Sequence, residues 1–347
     1  MATSEGAKSF VGFGDLLLRL NPKGHERIVQ ADEFEVRYTG AEANVAVTLA
    51  SFGIEAFAVS KVPDNDVGHA CVNYLRRFGV NTDYVALGGR RLGLFYVETG
   101  ASQRASKVTY DRGDTSFSQS TPDDYPWDAI LAGRDWFHFS GTAPALGDGV
   151  VSALEEGLAE AKRRGMTVSC DLNYRAKLWT TDQARRVMSR LMSHVDVLLG
   201  NEEDAERVFG IRASGSDVSV GHLVEESYRQ VAVQLADQFG FRYVAITLRE
   251  SISASANRWG GMLYDGHDHY VSRKYMIEPI IDRVGGGDAF AGGLIYGLLM
   301  NANPQRCVEF AAAASCLKHS IPGDFNIVSV SEVDALVAGD ESGRVKR

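Results

Sequence analysis

The sequence predicts an α/β fold: a central, mainly parallel β-sheet flanked by helices, with a small β-sheet lid over one edge. Two observations carry that reading. Apolar runs of strand length alternate with amphipathic stretches of helical period along most of the chain. Two other segments alternate apolar and polar residues with no helix between, Arg19–Tyr38 and Leu92–Arg112. These supply the lid strands, drawn from about 16–40 and 90–115.

In chain order, Ser9–Gly14 is a buried-strand candidate that ends in glycine. Glu42–Phe52 reads as a helix stopped at Gly53, and Ala56–Ser60 as the next strand. Val67, Cys71, Tyr74, Leu75 and Phe78 fall on one helix face, with Asn65 or Asp66 as N-cap and Gly79 as terminator. Strands then follow at Trp136–Phe139, Thr167–Asp171, Val195–Leu199 and Tyr243–Leu248. Helices are expected at Val150–Arg164, Ala184–His194, Leu223–Phe239, Ala289–Met300 and Gln305–Lys318. Gly261–Arg273 has the pattern of a hairpin turning near Asp265 and Gly266. Arg212–Ser219 reads as a polar loop, and the first eight residues and Glu341–Arg347 as frayed ends. No linker or internal repeat interrupts the 347 residues, which are read as one domain. Ligands of such sheets bind at the C-terminal ends of the strands.

The composition is globular, with 45% hydrophobic and 23% charged residues. A net charge of −9 argues against nucleic-acid and anionic-membrane partners, which favour a basic face. No window approaches the roughly 18 apolar residues of a membrane span. The first residues, MATSEGAKS, lack the apolar stretch of a signal peptide. Cys71, Cys170, Cys307 and Cys316 have no CxxC spacing and read as buried free thiols in a reducing, cytoplasmic setting. GxxxxGK[ST], HExxH and GxSxG are all missing, which excludes a P-loop kinase and the commoner hydrolase motifs. Asp265, His267, Asp268 and His269 crowd one hairpin tip too closely for a compact metal site, and a solvated turn is expected there. His138 reads as a core or edge histidine, and Cys170 has no histidine partner to make it a nucleophile.

The most informative segment is Ile281–Leu294, IDRVGGGDAFAGGL. Gly285, Gly286 and Gly287 can bring backbone N–H groups close to an anion without Cβ obstruction, and the helix that follows adds its positive end. A carboxylate beside an anion hole suits phosphoryl transfer to an alcohol. Asp288 would take the hydroxyl proton while the dipoles hold the charge on the transferred group. The competing reading is a tight glycine turn with Asp288 as a helix cap.

The segment from Asp282 to Gly293 resembles the C-terminal signature D-T-x-G-A-G-D-x-F of ribokinase-like (PfkB) carbohydrate kinases. Arg283 stands for the usual Thr and Gly286 for the usual Ala. The resemblance puts the catalytic base on Asp288 and the anion hole on Gly285–Gly287, and it implies a ribokinase-like fold. It spans roughly residues 9 to 330. G40-A-E-A-N44 is similar to the family's sugar-binding stretch, and Asp15 stands where the family contacts sugar hydroxyls. N201-E-E-D204 is similar to the N-x-x-E motif, so Asn201 would touch the nucleotide and, with Asp204, hold Mg²⁺ through water. Thr247 and Arg249 would line the ATP site. Many relatives also carry a monovalent cation, such as K⁺, near the glycine loop, where Arg283 departs from the pattern.

Three arginine-bearing segments point to an acidic sugar: D171-L-N-Y-R175, Arg104–Arg112 and R91-L-G-L-F-Y96. A carboxylate favours Arg because its planar fork makes two parallel charge-assisted bonds. Aromatics such as Phe95 and Tyr110 can wall the pocket. The segments resemble 2-keto-3-deoxygluconate kinases, which implies sugar-acid contacts from Arg175, Tyr110 and Arg112. It also implies phosphorylation of the terminal hydroxyl to give 2-keto-3-deoxy-6-phosphogluconate. A fructokinase or other neutral-sugar kinase, a nucleoside kinase, and a catalytically silent sugar sensor remain the alternatives. The partners expected are ATP and a sugar acid, with pairing of two copies through the lid, since an exposed sheet invites it.

Overall fold

A computed structural model describes residues 7–212 and 225–340. The expectations for residues 1–6, 213–224 and 341–347 lie outside the described residues. The chain opens with β1 (Ser9–Phe13), β2 (Leu17–Pro22), β3 (Phe34–Thr39), β4 (Glu55–Val62) and β5 (Val85–Leu87). Next come β6 (Gly93–Glu98), β7 (Lys107–Asp111), β8 (Trp136–Ser140), β9 (Thr167–Asp171) and β10 (Val197–Gly200). The last are β11 (Tyr243–Ser253), β12 (Ala256–Tyr264), β13 (His269–Val271) and β14 (Tyr275–Ile277).

The main sheet runs β13-β12-β11-β10-β9-β8-β1-β4-β5, with β14 also on β12. From β11 to β5 every neighbouring pair is parallel, and β12 to β14 add antiparallel strands at one edge. The parallel strands read as apolar runs because both faces are covered. Alternate side chains divide between two cores. Val11, Phe13, Phe137 and Leu198 point to one, while Phe10, Trp136, Val197 and Leu199 point to the other. The first core is covered by helices Asp148–Arg163, Thr181–Leu191, Glu202–Phe209 and Glu225–Phe239, the second by Ala41–Ser51, Asp66–Arg76, Gly286–Leu299 and Pro304–Lys318. Asn65 caps the helix Asp66–Arg76 through Val67 and Gly68 N–H, and Gly79 turns with φ 79°. Val67, expected on the buried face, is exposed: it lies in the first turn, and the apolar stripe begins with Gly68 and Cys71.

The lid is a separate sheet of order β3-β2-β6-β7. Its middle strands β2 and β6 are parallel and its outer pairs antiparallel. The expected hairpin at 261–273 exists as β12 with β13, where Leu263 faces Tyr270. A longer hairpin of β11 with β12 precedes it, which the apolar run Tyr243–Leu248 did not reveal because Arg249–Ser253 extends the strand with polar residues. His138 is a core histidine, its Nδ1 2.7 Å from Ser169 Oγ, and burial pushes its pKa down to about 3. Cys71, Cys170 and Cys307 are buried free thiols, and Cys316 is half-buried.

Candidate functional site

A cleft of about 1590 Å³ opens between the lid and the C-terminal ends of the parallel strands. It gathers Asp15 after β1, Asp171 at the end of β9, Gly200 and Asn201 after β10, and Thr247 on β11. The lid contributes Phe95, Tyr110 and Arg112, and the N-terminus of Gly286–Leu299 closes the floor. Every residue singled out from the sequence as a site candidate lines this one space. These residues are scattered between positions 15 and 288. Most of them sit where a parallel strand ends or a lid strand crosses above, and Gly285–Asp288 join them from the N-terminus of the floor helix.

Gly285 is the N-cap of the floor helix, in the left-handed region at φ 82°. A Cβ there would lie 2.1 Å from the Asp324 carbonyl oxygen, so only glycine fits. At Gly286 a Cβ would lie 2.7 Å from His319 Cε1, which accounts for glycine in place of alanine. Among the described residues nothing lies within 4 Å of a Cβ at Gly287. The glycine there leaves open space in front of the helix end, where an anion can approach.

Asp288 is buried beside that opening. Asn44 Nδ2 donates to its Oδ2 at 2.6 Å. Asn44 is therefore held by a side-chain contact across the cleft, not spent as a helix cap. Burial pushes the Asp288 carboxyl up to about 6; the Asn44 bond works against that, Asp324 adds to it, and Arg175 and Lys318 oppose it. A carboxylate near 6 is ionised at neutral pH and basic enough to take a proton. Behind Asn44, Thr39 Oγ1 lies 2.7 Å from Asn44 Oδ1 and 2.9 Å from Asp324 Oδ2. Glu42 is also buried beneath the cleft. Ser140 N–H and Oγ donate to its Oε1 at 2.8 and 2.6 Å, yet burial still lifts it to about 7.

At the other end, Arg112 Nη2 donates to Asp15 Oδ2 at 3.1 Å. Its guanidinium lies 5.4 Å over the Tyr110 ring, and Tyr110 stacks on Phe95 at 5.5 Å. Asp111 and Asp114 are the acidic neighbours of Arg112 in the sequence. The buried Asp15 wins because β6 and β7 bring Arg112 over the end of β1, while Asp111 pairs with Arg91 at 2.9 Å. Burial raises Asp15 to about 6 despite the charge of Arg112. Gly40 passes so close to this residue that a Cβ would meet the Asp15 carbonyl at 2.3 Å.

Between the two ends lies an acidic wall. Asp171 is pushed up to about 8, by burial first and then by Asp204 and Asp288. Asp204 is raised to about 6 by burial, with Arg175 opposing. Its Oδ1 accepts from Tyr174 N–H at 3.1 Å, and Asn201 Oδ1 caps the helix through Asp204 N–H at 2.9 Å. Glu203 is exposed but Asp204 is not, so the Asn201–Asp204 motif does not form a uniformly solvated turn. Arg175 opposes the rise at both carboxyls without cancelling it, and a divalent cation with its water shell would add to that positive charge. Arg175, Lys177, Arg207, Arg249 and Arg283 line the same cleft in an acidic chain, a donor set suited to phosphates.

The sequence reading missed Asp171 as a site carboxylate, although it opens the motif D171-L-N-Y-R175. It also missed Glu42, Thr39 and Asp324. Glu42 lies inside the Gly40–Asn44 stretch, and its burial was the available signal only once the helix was known to face the sheet. Thr39 and Asp324 carry no local motif.

The sequence profile of the pfkB family carbohydrate kinases matches residues 7–326. A 2-dehydro-3-deoxygalactonokinase of Haloferax volcanii is 32% identical over 333 residues, 96% of this chain and 98% of the relative. The crystal structure of a 2-dehydro-3-deoxygluconokinase of Thermotoga maritima superposes with a TM-score of 0.92 at 49% identity, covering 96% of this chain and all of that one. A fructokinase double mutant of Vibrio cholerae, solved with fructose, ADP and a potassium ion, shares the fold at 20% identity and a TM-score of 0.76, over 95% of this chain and 99% of that one. Among the described residues no helix is long and apolar enough to cross a membrane.

Proposed function

The chain belongs to the pfkB family of carbohydrate kinases, with a ribokinase-like fold, and from that premise we propose that it phosphorylates the terminal hydroxyl of a 2-keto-3-deoxy sugar acid. The observation that carries the substrate class is the lid end of the cleft, where Arg112, Tyr110 and Phe95 are arranged above Asp15. Arg112 would take the sugar carboxylate, with Arg175 reaching the acid from the opposite wall. Asp15, Gly40 and Asn44 would hold its hydroxyls. The product is 2-keto-3-deoxy-6-phosphogluconate when the substrate is 2-keto-3-deoxygluconate. The galactonate epimer is the second reading, favoured by the Haloferax relative.

In this reading the Asp288 carboxylate takes the proton of the attacking hydroxyl. The sugar oxygen forms its bond to the γ-phosphorus as the bond to the ADP oxygen breaks. Backbone N–H groups at Gly285–Gly287 receive the charge on the transferred group. Asn201, Thr247 and Arg249 would line the nucleotide. Mg²⁺, when bound with ATP, neutralises phosphate charge, and Asp204 with Asn201 would hold its water shell. Closure of the lid excludes water from the phosphoryl group. The four free thiols suit a reducing cytoplasm. Among the described residues the lid's outer strands β3 and β7 have no further strand beside them, and two copies would associate through these edges.

The test is ADP release with MgATP against 2-keto-3-deoxygluconate, 2-keto-3-deoxygalactonate, gluconate, fructose, ribose and adenosine. Turnover confined to one or both keto-deoxy acids is the expected result. Preference for fructose or ribose would discard the carboxylate pocket and leave the kinase. Binding of ATP and sugar without turnover on any of them would overturn the enzyme reading itself.

A further inference from the structure

Two protein cations with no part in the chemistry above are buried against the glycine loop. Lys318, at the end of the helix Pro304–Lys318, is 0% exposed, and its Nζ donates to the Asp282 main-chain carbonyl at 3.0 Å. Arg19, from lid strand β2, is 2% exposed. Its Nη2 donates to Asp282 Oδ2 at 2.6 Å and its Nη1 to Asp324 Oδ1, while Nε is fixed by Asn21 Oδ1 at 2.6 Å. A third cation, Arg283, reaches away from the loop, donating through Nη2 to the carbonyls of Ser253 and Ala254 at 3.2 and 2.7 Å.

The carboxylate oxygens of Asp282 and Asp324 are therefore committed. Asp282 Oδ1 accepts from Val284 N–H at 3.0 Å, and Oδ2 accepts from Gly323 N–H at 3.0 Å as well as from Arg19. Asp324 Oδ2 takes Thr39 Oγ1. The two carboxylates that flank the loop, Asp282 and Asp324, face the two cations Arg19 and Lys318, with Asp288 beyond them as a third carboxyl. A hard cation needs a shell of oxygens free to face it, and a third positive charge here would meet Arg19 and Lys318 first. The residues present do not fit the K⁺ ion that the family resemblance puts near this loop.

We propose that Arg19 and Lys318 replace the monovalent cation in this kinase, holding the anion-hole loop by protein charge, so that its turnover does not depend on K⁺. Arg19 and Lys318 are positioning residues, acting on Gly285–Asp288 through Asp282 and Asp324. The arrangement has a second consequence. Because Arg19 belongs to the lid, the loop is anchored to the element that covers the sugar, through the chain Arg19–Asp324–Thr39–Asn44–Asp288. Burial lowers Lys318 to about 8 against the pull of Asp282 and Asp324, which leaves it charged at neutral pH.

The inference rests on the kinase reading for one arm of its test only. In that arm, initial rates are measured with MgATP in potassium and in tetramethylammonium salts at equal ionic strength. Wild-type turnover should change by less than about twofold. In the other arm, thermal melting of the full chain is followed as K⁺ replaces tetramethylammonium. A cation bound only by the folded state raises the melting temperature, and none should be seen here. Lys318→Ala should lose at least ~10-fold in turnover, the lower bound for removing a preorganised electrostatic contact, and recover part of it with K⁺ or methylammonium. Where that variant fails to fold, Lys318→Met fills the volume without the charge and should show the loss without rescue. A K⁺-activated wild type, or a K⁺-dependent rise in its melting temperature, overturns the proposal, and so does undiminished turnover in a folded Lys318→Ala. The melting arm needs no substrate, so a failed kinase assay leaves it readable.

Discussion

Asp15 and Asp288 occupy opposite ends of one cleft and share an electrostatic fate. Both are buried, and burial lifts both to about 6. They differ in the company they keep. Asp15 faces a guanidinium that is itself 90% buried as a side chain, and the two charges cancel in place. Asp288 faces the neutral amide of Asn44 at 2.6 Å, an amide turned by Thr39. A carboxylate held by an arginine is fixed as an anion and orients what binds to it. A carboxylate held by an amide is aimed but not neutralised, and can accept a proton and return it. The comparison teaches that a raised pKa alone does not mark a base; the charge state of the nearest partner separates the two roles.

The largest effect should come from breaking the contrast at the Asp288 end. Asp288→Asn keeps an acceptor for Asn44 and removes the proton acceptor, so turnover should fall at least ~10²-fold, the scale of a lost general base. The stability change should have the opposite sign. A carboxyl raised from 3.8 to about 6 in the folded protein costs roughly 3 kcal/mol at neutral pH, and that cost fades as pH falls toward 4. The variant should therefore melt above wild type at neutral pH, with the gap closing in acid. In wild type, kcat/KM should drop below about pH 6 as Asp288 takes up its proton. Turnover near that of wild type for the variant would remove Asp288 from the chemistry.

Asp15→Asn is the matched experiment at the lid end, and a smaller change in turnover is expected. It leaves the buried Arg112 without its carboxylate; Arg112 Nε already lacks a partner among the described residues. Stranding one member of a buried pair costs on the order of 3 kcal/mol, which opposes the relief from removing a carboxyl raised as far as that of Asp288, so the melting temperature at neutral pH should move less than in Asp288→Asn. The KM for the sugar acid should rise about tenfold or more, while kcat stays within a fewfold of wild type. Equal kcat losses at Asp15 and Asp288 would dissolve the distinction between recognition and proton transfer.

How much of this was legible in the sequence follows the range of the interactions. The parallel strands and their helices were visible because both-sided burial writes apolar runs into the chain, and Thr167–Asp171 has the bounds expected of it. The glycine loop was visible as three consecutive glycines, of which Gly285 takes up φ 82°, where other residues are strained. The helix Val330–Val337 was not foreseen, since its eight residues present only Val333 and Leu336 to the core. Arg19 was read simply as the start of a lid strand. Its burial depends on carboxylates 263 and 305 positions away, which no window contains. The same holds for the Asn44–Asp288 contact, 244 residues apart. Local chemistry singled out Asp288, and only the fold could show what aims it.

The smallest and most selective test concerns Gly287. It lies in the first turn of the helix Gly286–Leu299, and a Cβ there meets no atom of the described residues within 4 Å. By helix propensity alone alanine should stabilise the fold by up to about 1 kcal/mol, because glycine surrenders more backbone freedom on folding. A methyl group in front of the helix end would nonetheless stand in the space left for the transferred phosphoryl group. Gly287→Ala should therefore melt at or above the wild-type temperature while kcat/KM for MgATP falls. Gly286→Ala is the control, since its Cβ would press on His319 at 2.7 Å and should lower the melting temperature. If Gly287→Ala instead retains full kcat/KM, the open space before the helix is no anion site, and the cleft's phosphoryl end must be sought nearer Asp171 and Asp204.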